Sequence, residues 1–257
     1  WAHHMFLTGM GTTISAFFQT TTMIISIPSV IVLSSLFLSL YGGSIRFNTP
    51  LLFALAFLPM FGIGGLTGLP LGLNITDIPL HDTYYVIGHF HYVVAPGTIF
   101  ALFAGIYHWW TKITGGRMNE PLGKLHFWLS FVGMNTVFFP LLLQGLAGLN
   151  RRIYDPTFYE HGKGIQGLMV MGSWGAWLLG AAQIFFFLNF LMSMFGKKDA
   201  DNPWKATTLE WAAPAPPPHG NFPVPPVVAR GPYEYSVPGH TDDFWPQHHP
   251  ETGAPAE

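Results

Sequence analysis

The sequence contains no cysteine, so it offers neither a disulfide nor a thiolate ligand, and any bound metal must rest on histidine and oxygen ligands. Charge is scarce as well, because 9% of the 257 residues are charged, against about 25% in an ordinary soluble domain. The formal net charge of −2 comes with no basic patch of the kind that nucleic acid requires. These shortages exclude an ordinary soluble domain and a nucleic-acid-binding protein.

The few charged residues are clustered, and long stretches between them contain no Asp, Glu, Lys or Arg. These stretches are 1–45, 47–76, 83–111, 125–150 and 164–196. A helix needs about 20 apolar residues to cross a bilayer, so each stretch is long enough. The sequence therefore predicts an all-α, polytopic membrane helix bundle whose spanning helices lie at 12–40, 49–70, 84–113, 120–146 and 160–191.

The loops between the predicted spans fall on two faces that differ in charge. The positive-inside rule assigns to the cytoplasm or matrix the face that carries Arg46, Lys112, Arg117, Lys124, Lys197, Lys198 and Lys205. The opposite face receives Asp77, His81, Asp82 and the loop 147–163. That loop contains Arg151 and Arg152. Because the positive-inside rule does not explain two arginines on this face, we expect them to pair with an anionic group.

Proline becomes frequent after residue 197, which predicts an extended, non-helical tail on the cytoplasmic side that either lies on protein or is disordered. We therefore divide the chain into a transmembrane part at 1–196 and a Pro-rich tail at 197–257. The tail histidines His240, His248 and His249 lie in this sequence and are interpreted as solvated side chains rather than ligands.

His89 and His91 lie within the third predicted span. Ionisable residues inside a membrane are costly and functional by default, and neutral imidazole is the commonest metal ligand. Two residues of helix correspond to about 200° of rotation and about 3 Å of rise. The two rings therefore point in nearly opposite directions and cannot share one metal, but each can bind a planar cofactor such as haem. The alternative is a pair of buried histidines that hydrogen-bond across helices.

Two further pairs suggest metal ligands. The imidazoles of His3 and His4 can reach one copper, zinc or iron ion if the backbone there is irregular; a tag remnant or an interface pair is the alternative. His81 and Asp82, just before the third span, suit Mg²⁺ or Mn²⁺. The alternative for this second pair is a solvated helix start with Asp82 as the N-terminal cap.

Five strings of sequence together point to a family: WAHHM (1–5), GGLTG (64–68), HDTYYVIGHFHYVV (81–94), NRR (150–152) and TTLEW (207–211). They closely resemble the carboxyl-terminal half of subunit I of the haem-copper oxygen reductases, the cytochrome c oxidase type. The resemblance covers nearly all of residues 1–211. It implies five helices of a larger subunit of the twelve-helix type, and a terminal respiratory oxidase that reduces oxygen to water while protons cross the membrane.

The resemblance also implies roles for individual residues. His3 and His4 match two of the three histidine ligands of the copper beside the oxygen-binding haem. His89 matches the proximal ligand of that high-spin haem, so the expected catalytic residues are His3, His4 and His89. His91 matches an axial ligand of the low-spin haem. His81 and Asp82 match ligands of a magnesium or manganese site, and Arg151 and Arg152 match the pair that holds haem propionates. Asp77 and Tyr84 match two supporting residues. These six residues are called the outer layer, because they lie on the face opposite the cytoplasm or matrix.

The cofactors implied are two haems of the a type, one low-spin and one high-spin, with copper and with magnesium or manganese. The implied partners are the amino-terminal half of subunit I, oxidase subunits II and III, cytochrome c or another cytochrome as donor, oxygen and the lipid membrane. The location is the bacterial plasma membrane or the mitochondrial inner membrane. In the family the remaining copper and low-spin haem ligands precede the position of Trp1, so we expect activity only with the missing amino-terminal half.

The sequence departs from the commonest branch of the family at Val32, where that branch has a lysine in the first of these helices. Protons that follow this helix would then use hydroxyls and water, and the candidates are Thr20, Thr21, Ser26, Ser29 and Thr67. Three alternatives remain open on the residues: a nitric oxide reductase relative with iron in place of copper, a non-catalytic haem electron carrier, and a haem-free transporter that relays protons through its histidines.

Overall fold

The computed structural model describes residues 1–198, 201–231, 234, 241–242 and 244–249. Five helical segments are long and apolar enough to cross a membrane: α1 (Thr12–Leu40), α2 (Thr49–Gly72), α3 (Tyr84–Thr114), α4 (Glu120–Leu146) and α5 (Gln166–Met194). The described residues form no strand, and an isolated β-bridge joins Thr83 to Asn150. The prediction of an all-α bundle with five spans is confirmed.

The first four spans begin where the sequence predicts, and the fifth begins later than residue 160. A separate short helix, Glu160–Gly164, precedes it, and Ile165 interrupts the two. Three glycines within 160–167 give this stretch poor helix propensity, which accounts for the interruption.

Prolines interrupt two of the spans. In α1 the helix is broken at Ile25, three residues before Pro28, because a proline ring clashes with the carbonyl four residues earlier. In α3 a π-helical turn, Ala95–Phe100, contains Pro96 and separates Tyr84–Val94 from Ala101–Thr114. The continuous helices of α2 and α4 tolerate Pro59 and Pro140.

Short helices carry or flank the loops. A 3₁₀ helix, Ala2–Thr8, precedes α1, the helix Asn74–Leu80 links α2 to α3, and the 3₁₀ turn Pro156–Phe158 lies in the loop before α5. The tail contains the helix Leu209–Ala212, so the prediction of a wholly non-helical tail is wrong at these residues.

The chain divides into two compact units. The first comprises Trp1–Ala104 and Lys124–Phe185, and it contains every residue of the predicted sites. The second comprises Gly105–Gly123 and the described residues from Phe186 onward. The division of the chain at residue 196 remains a prediction.

In the second unit the tail packs on the end of α3. Trp204 donates its indole N–H to the His108 carbonyl at 3.0 Å, and Lys112 Nζ donates to the Ala213 carbonyl at 2.6 Å. His249 is exposed, as predicted, but the prediction fails for His248, which is half-buried and has its Nδ1 shielded from solvent. Proximity to the buried Trp211 and Pro246 around one small cavity accounts for this burial. His240 lies outside the described residues.

Close helix contacts in the first unit depend on residues without side chains. A Cβ on Gly64 of α2 would lie 2.8 Å from the Tyr92 carbonyl carbon, so α2 and α3 are in backbone contact there. Gly145 of α4 abuts the backbone of Tyr85 in the same way. Small residues are typical of membrane helix interfaces because they let backbones approach. They hold the histidine-bearing part of α3 against both α2 and α4.

We expect Gly145→Ala to destabilise the protein by about 1–3 kcal/mol, because the added methyl overlaps the Tyr85 backbone and the helices must separate. The measurement is the thermal unfolding midpoint of the purified membrane complex. Gly65→Ala is the matched control, since a Cβ there meets nothing within 4 Å. Equal midpoints for both variants would contradict the role of this contact.

Candidate metal centre

The start of α3 is fixed by the loop that follows α4. Thr83 caps the helix, because its hydroxyl accepts a hydrogen bond from the Tyr85 N–H at 3.2 Å, so the alternative that made Asp82 the cap is wrong. The Tyr84 N–H donates to the Leu149 carbonyl at 3.0 Å. The Arg151 N–H donates to the Asp82 carbonyl at 2.8 Å. The candidate residues at 81–84 and at 150–152 therefore lie side by side.

His89 faces α2. Its Nδ1 lies 2.9 Å from the Gly64 carbonyl oxygen and 3.3 Å from Thr67 Oγ1. Because a carbonyl can only accept, this bond assigns the proton to Nδ1 and leaves the lone pair on Nε2. A Cβ on Gly68 would lie 2.7 Å from His89 Cε1, so the glycine makes room for the ring. The imidazole is oriented as a metal-ligating histidine is, with its second nitrogen engaged by a carbonyl.

His91 faces α4 instead. Its Nδ1 donates to the Ile87 carbonyl at 2.8 Å, which again leaves the lone pair on Nε2. Its ring stacks on Phe138, with centroids 4.1 Å apart and planes 11° from parallel. The two histidines thus contact different neighbouring helices, as the helical rotation between them predicts.

His3 and His4 lie in the 3₁₀ helix, so the backbone there is irregular, as a shared ion would need. Their Nε2 atoms are 3.1 Å apart, and two nitrogens bound to one ion at zinc-like distances would be about 2.9–3.4 Å apart. The residues therefore fit one small metal ion. His3 Nδ1 also contacts Thr22 Oγ1 at 3.2 Å.

Burial is the main cause that lowers the pKa of His3 to about 4, and the neighbouring His4 adds to it. His3 is therefore neutral at pH 7 and its lone pair is available to a metal. Within the described ranges, however, no three His, Asp or Glu side chains converge into a complete metal site.

The outer-layer residues pair in another arrangement than the sequence predicts. His81 Nδ1 lies 3.2 Å from Asp77 Oδ2, and Asp82 Oδ1 accepts from Arg151 Nε at 2.8 Å and Nη2 at 2.5 Å. His81 and Asp82 thus have different hydrogen-bond partners. The prediction of a magnesium or manganese site rests on the resemblance alone, and it stays a prediction.

Burial and these contacts together shift the pKa values of the two carboxyl groups. Burial raises the pKa of Asp77, and His81 opposes that shift. The Arg151 hydrogen bond holds the pKa of Asp82 below its ordinary value. Asp82 and Arg152 both have left-handed backbones, with φ of 57° and 64°, which non-glycine residues adopt uncommonly. Arg152 is exposed, whereas Arg151 is half-buried.

Sequence reasoning missed the groups that orient the imidazoles. The Gly64 carbonyl has no side-chain signature, although Gly64 lies in the string GGLTG. Phe138 and Thr22 look like ordinary residues of apolar spans, and only the folded structure identifies them as contacts of His91 and His3.

The fold and its histidines define a polytopic membrane helix bundle that presents oriented imidazoles at its helix interfaces. The family model described as Cytochrome C and Quinol oxidase polypeptide I matches residues 1–178, and the chain belongs to this family. Membership implies haem and copper as cofactors of subunit I.

The curated relatives agree with this assignment. The chain is 48% identical over 240 residues to cytochrome c oxidase subunit 1 of Synechocystis sp., covering 92% of this chain and 42% of that protein. It is 44% identical over 261 residues to alternative cytochrome c oxidase subunit 1 of Bradyrhizobium diazoefficiens, covering 99% and 44%. The chain thus spans less than half the length of these relatives.

A solved structure of a haem-copper terminal oxidase dimer has the same fold, with a TM-score of 0.65 and 22% identity. The match covers 77% of this chain and 39% of that one. At this identity the likeness concerns the fold alone.

We expect Arg151→Gln to lower stability at neutral pH by about 0.2–1 kcal/mol, because it removes a partly exposed ion pair. Since the folded pKa of Asp82 is lowered, the pair stabilises the protein above the ordinary carboxyl pKa of about 3.9 and is lost as the pH falls through the folded value. The difference between wild type and Arg151→Gln should therefore shrink on acidification.

The measurement is the unfolding midpoint of the membrane complex between pH 3 and pH 7. Lys163→Gln is the control, because Lys163 pairs with Glu160 in the same loop but both side chains are largely exposed. A difference between wild type and Arg151→Gln that stays constant over this range would show that the Asp82 pair is not its source.

Proposed function

We propose that this chain is the carboxyl-terminal half of subunit I of a terminal respiratory oxidase, which reduces oxygen to water and translocates protons. It would act with the amino-terminal half of subunit I, subunits II and III and a cytochrome donor in an energy-transducing membrane. The observation that carries the proposal is that His89 and His91 each donate Nδ1–H to a backbone carbonyl and keep Nε2 as a lone pair. The two lone pairs would therefore be available to cofactors on opposite sides of α3.

The proposed ligands follow from this orientation. His89 would hold the high-spin haem, His91 the low-spin haem, and His3 with His4 the copper. When bound, these groups supply electron transfer and the redox chemistry of oxygen. The chain's own contribution is to fix the imidazoles: the Gly64 carbonyl holds the His89 ring and makes its Nε2 more basic, as carbonyl partners of ligating histidines do.

The loop residues would bind the propionate groups at the charged edge of the haems. Arg151 and Arg152 are proposed to bind propionates, and charge-assisted hydrogen bonds suit that role. Arg151 is held by Asp82, which fixes the position of its guanidinium at the start of α3. Asp77 and Tyr84 lie within five residues of Asp82 in sequence and belong to the same proposed layer. His81 and Asp82 remain the proposed magnesium or manganese ligands, a role that their present partners do not favour.

Proton movement is proposed to use hydroxyls rather than a lysine. Four of the candidates, Thr20, Thr21, Ser26 and Ser29, donate to carbonyls of their own helix. Thr67 differs because its hydroxyl also reaches His89 Nδ1 at 3.3 Å. Thr67 is therefore the candidate that links a hydroxyl to the proposed haem ligand.

We expect His89→Asn and His91→Asn to remove different haem signals from the assembled enzyme. His89→Asn should abolish the carbon monoxide difference spectrum and retain the low-spin bands, whereas His91→Asn should remove the low-spin bands. His249→Asn, at an exposed histidine of the tail, should change neither. The measurement is optical spectroscopy of the purified complex, and identical spectra for the two variants would refute the assignment.

The same preparation separates the alternatives. Wild-type complex without haem bands would favour the proton-relaying transporter, and iron instead of copper in metal analysis would favour the nitric oxide reductase relative. A complex with a low-spin haem alone would favour the electron carrier.

We expect Thr67→Val to slow oxygen consumption by about tenfold, the order of effect seen when partners of metal-ligating residues are removed. Ser29→Ala should slow oxygen consumption less, because the Ser29 hydroxyl donates to the Ile25 carbonyl of its own helix. Thr136→Val is the control, since its hydroxyl bonds to Val132 within α4. Unchanged turnover and haem reduction in Thr67→Val, Ser29→Ala and the double variant would end the hydroxyl hypothesis.

A further inference from the structure

Besides its hydrogen bond, the ring of His91 has two aromatic contacts that the proposed ligation does not use. Phe90 of the same helix lies at a centroid distance of 4.3 Å with planes 30° apart, and Phe138 lies at 4.1 Å. The Nδ1–H bond to Ile87 joins His91 to its own helix, so it fixes the tautomer but ties the ring to no other helix. The contact with Phe138 is different, because it comes from α4 and covers the ring in a nearly parallel stack. Because a stacked ring covers one face of the imidazole, it adds a restraint on the plane of that ring to the one that the hydrogen bond provides.

Phe138 is itself held in place by contacts on both sides of it along α4. Asn135 accepts a hydrogen bond from the buried Tyr92 hydroxyl at 2.7 Å, and Leu142 lies 2.8 Å from where a Cβ on Gly88 would be. Gly145 abuts the backbone of α3 one turn further on. The spacing of these residues is three, four and three, which places them on one face of the helix.

Phe138 therefore lies within the contact between α3 and α4 rather than at its edge. It cannot leave the His91 ring unless the helices separate or its own rotamer changes. In a ligating histidine, the groups around the ring set its orientation and tune the metal, and the environment of an axial ligand is one of the levers on a haem's reduction potential.

We propose that Phe138 is a positioning residue that sets the plane of the His91 imidazole and thereby the electronic state of the haem bound there. This inference rests on the proposed function, because it needs a haem at His91. The proposed role of Phe138 is specific to one haem, because the hydrogen bonds of His89 are to Gly64 and Thr67 of α2.

The test uses the assembled oxidase with Phe138→Leu, which keeps an apolar side chain and removes the stack. We expect shifted g values of the low-spin haem in electron paramagnetic resonance and a shifted midpoint potential, with the carbon monoxide spectrum of the other haem unchanged. Phe138→Tyr keeps the ring and should restore both values. Phe131→Leu is the matched control, because Phe131 lies two turns earlier on α4 and stacks on Phe127.

Unshifted g values and potential in Phe138→Leu with both haems present would overturn the inference, and so would an equal shift in Phe131→Leu. If Phe138→Leu does not assemble, Phe138→Met decides by the same two values. A wild-type complex without any low-spin signal would instead refute the proposed function, so the two failures are distinguishable.

Discussion

Gly64 contacts α3 in two ways at one point of α2. Its carbonyl accepts the Nδ1–H of His89 at 2.9 Å, and its missing side chain lets the backbone at Tyr92 approach. The hydrogen bond needs the close approach, because the carbonyl reaches the ring only when the two helices are in backbone contact. Once α3 is held at this distance and rotation, His91 must face away from α2, and α4 meets it there. The orientation of both imidazoles thus depends on one residue that carries no functional group.

The amino-terminal end of α3 is fixed by a second, polar constraint. The chain returns after α4 and pairs with the segment before α3 through the Tyr84–Leu149 and Arg151–Asp82 backbone bonds. The Arg151 side chain then bonds to the Asp82 carboxylate. The backbone contact and the His89 hydrogen bond inside the span, and the loop hydrogen bonds at its start, therefore act on the same helix.

Much of this arrangement could be predicted from the sequence, for reasons that are physical. The spans are marked by the absence of charge, which a bilayer requires, and the opposite directions of His89 and His91 follow from helix geometry alone. The partners of charged side chains could not be predicted. Neighbours in sequence such as His81 and Asp82 look like one ligand pair, but the left-handed backbone at Asp82 turns its carboxylate toward Arg151, while His81 pairs one helical turn back with Asp77.

The resemblance proposed roles for individual residues, which periodicity could not do, but it did not identify the groups that orient the proposed ligands. Asp82 was a plausible helix cap, and Thr83 takes that position because its hydroxyl reaches the Tyr85 N–H. The carbonyls of Gly64 and Ile87 are invisible in the sequence, since every residue has a carbonyl and only the packing selects two of them.

The π-helical turn at Ala95–Phe100 has a consequence for the phase of α3. A π turn takes up about one residue more than an α turn, so it advances the helical phase by about 100°. The faces presented before and after it are therefore not bound to one continuous heptad pattern. Within a single membrane crossing, the residues before the turn can therefore orient two imidazoles, while the residues after it can pack against different neighbours.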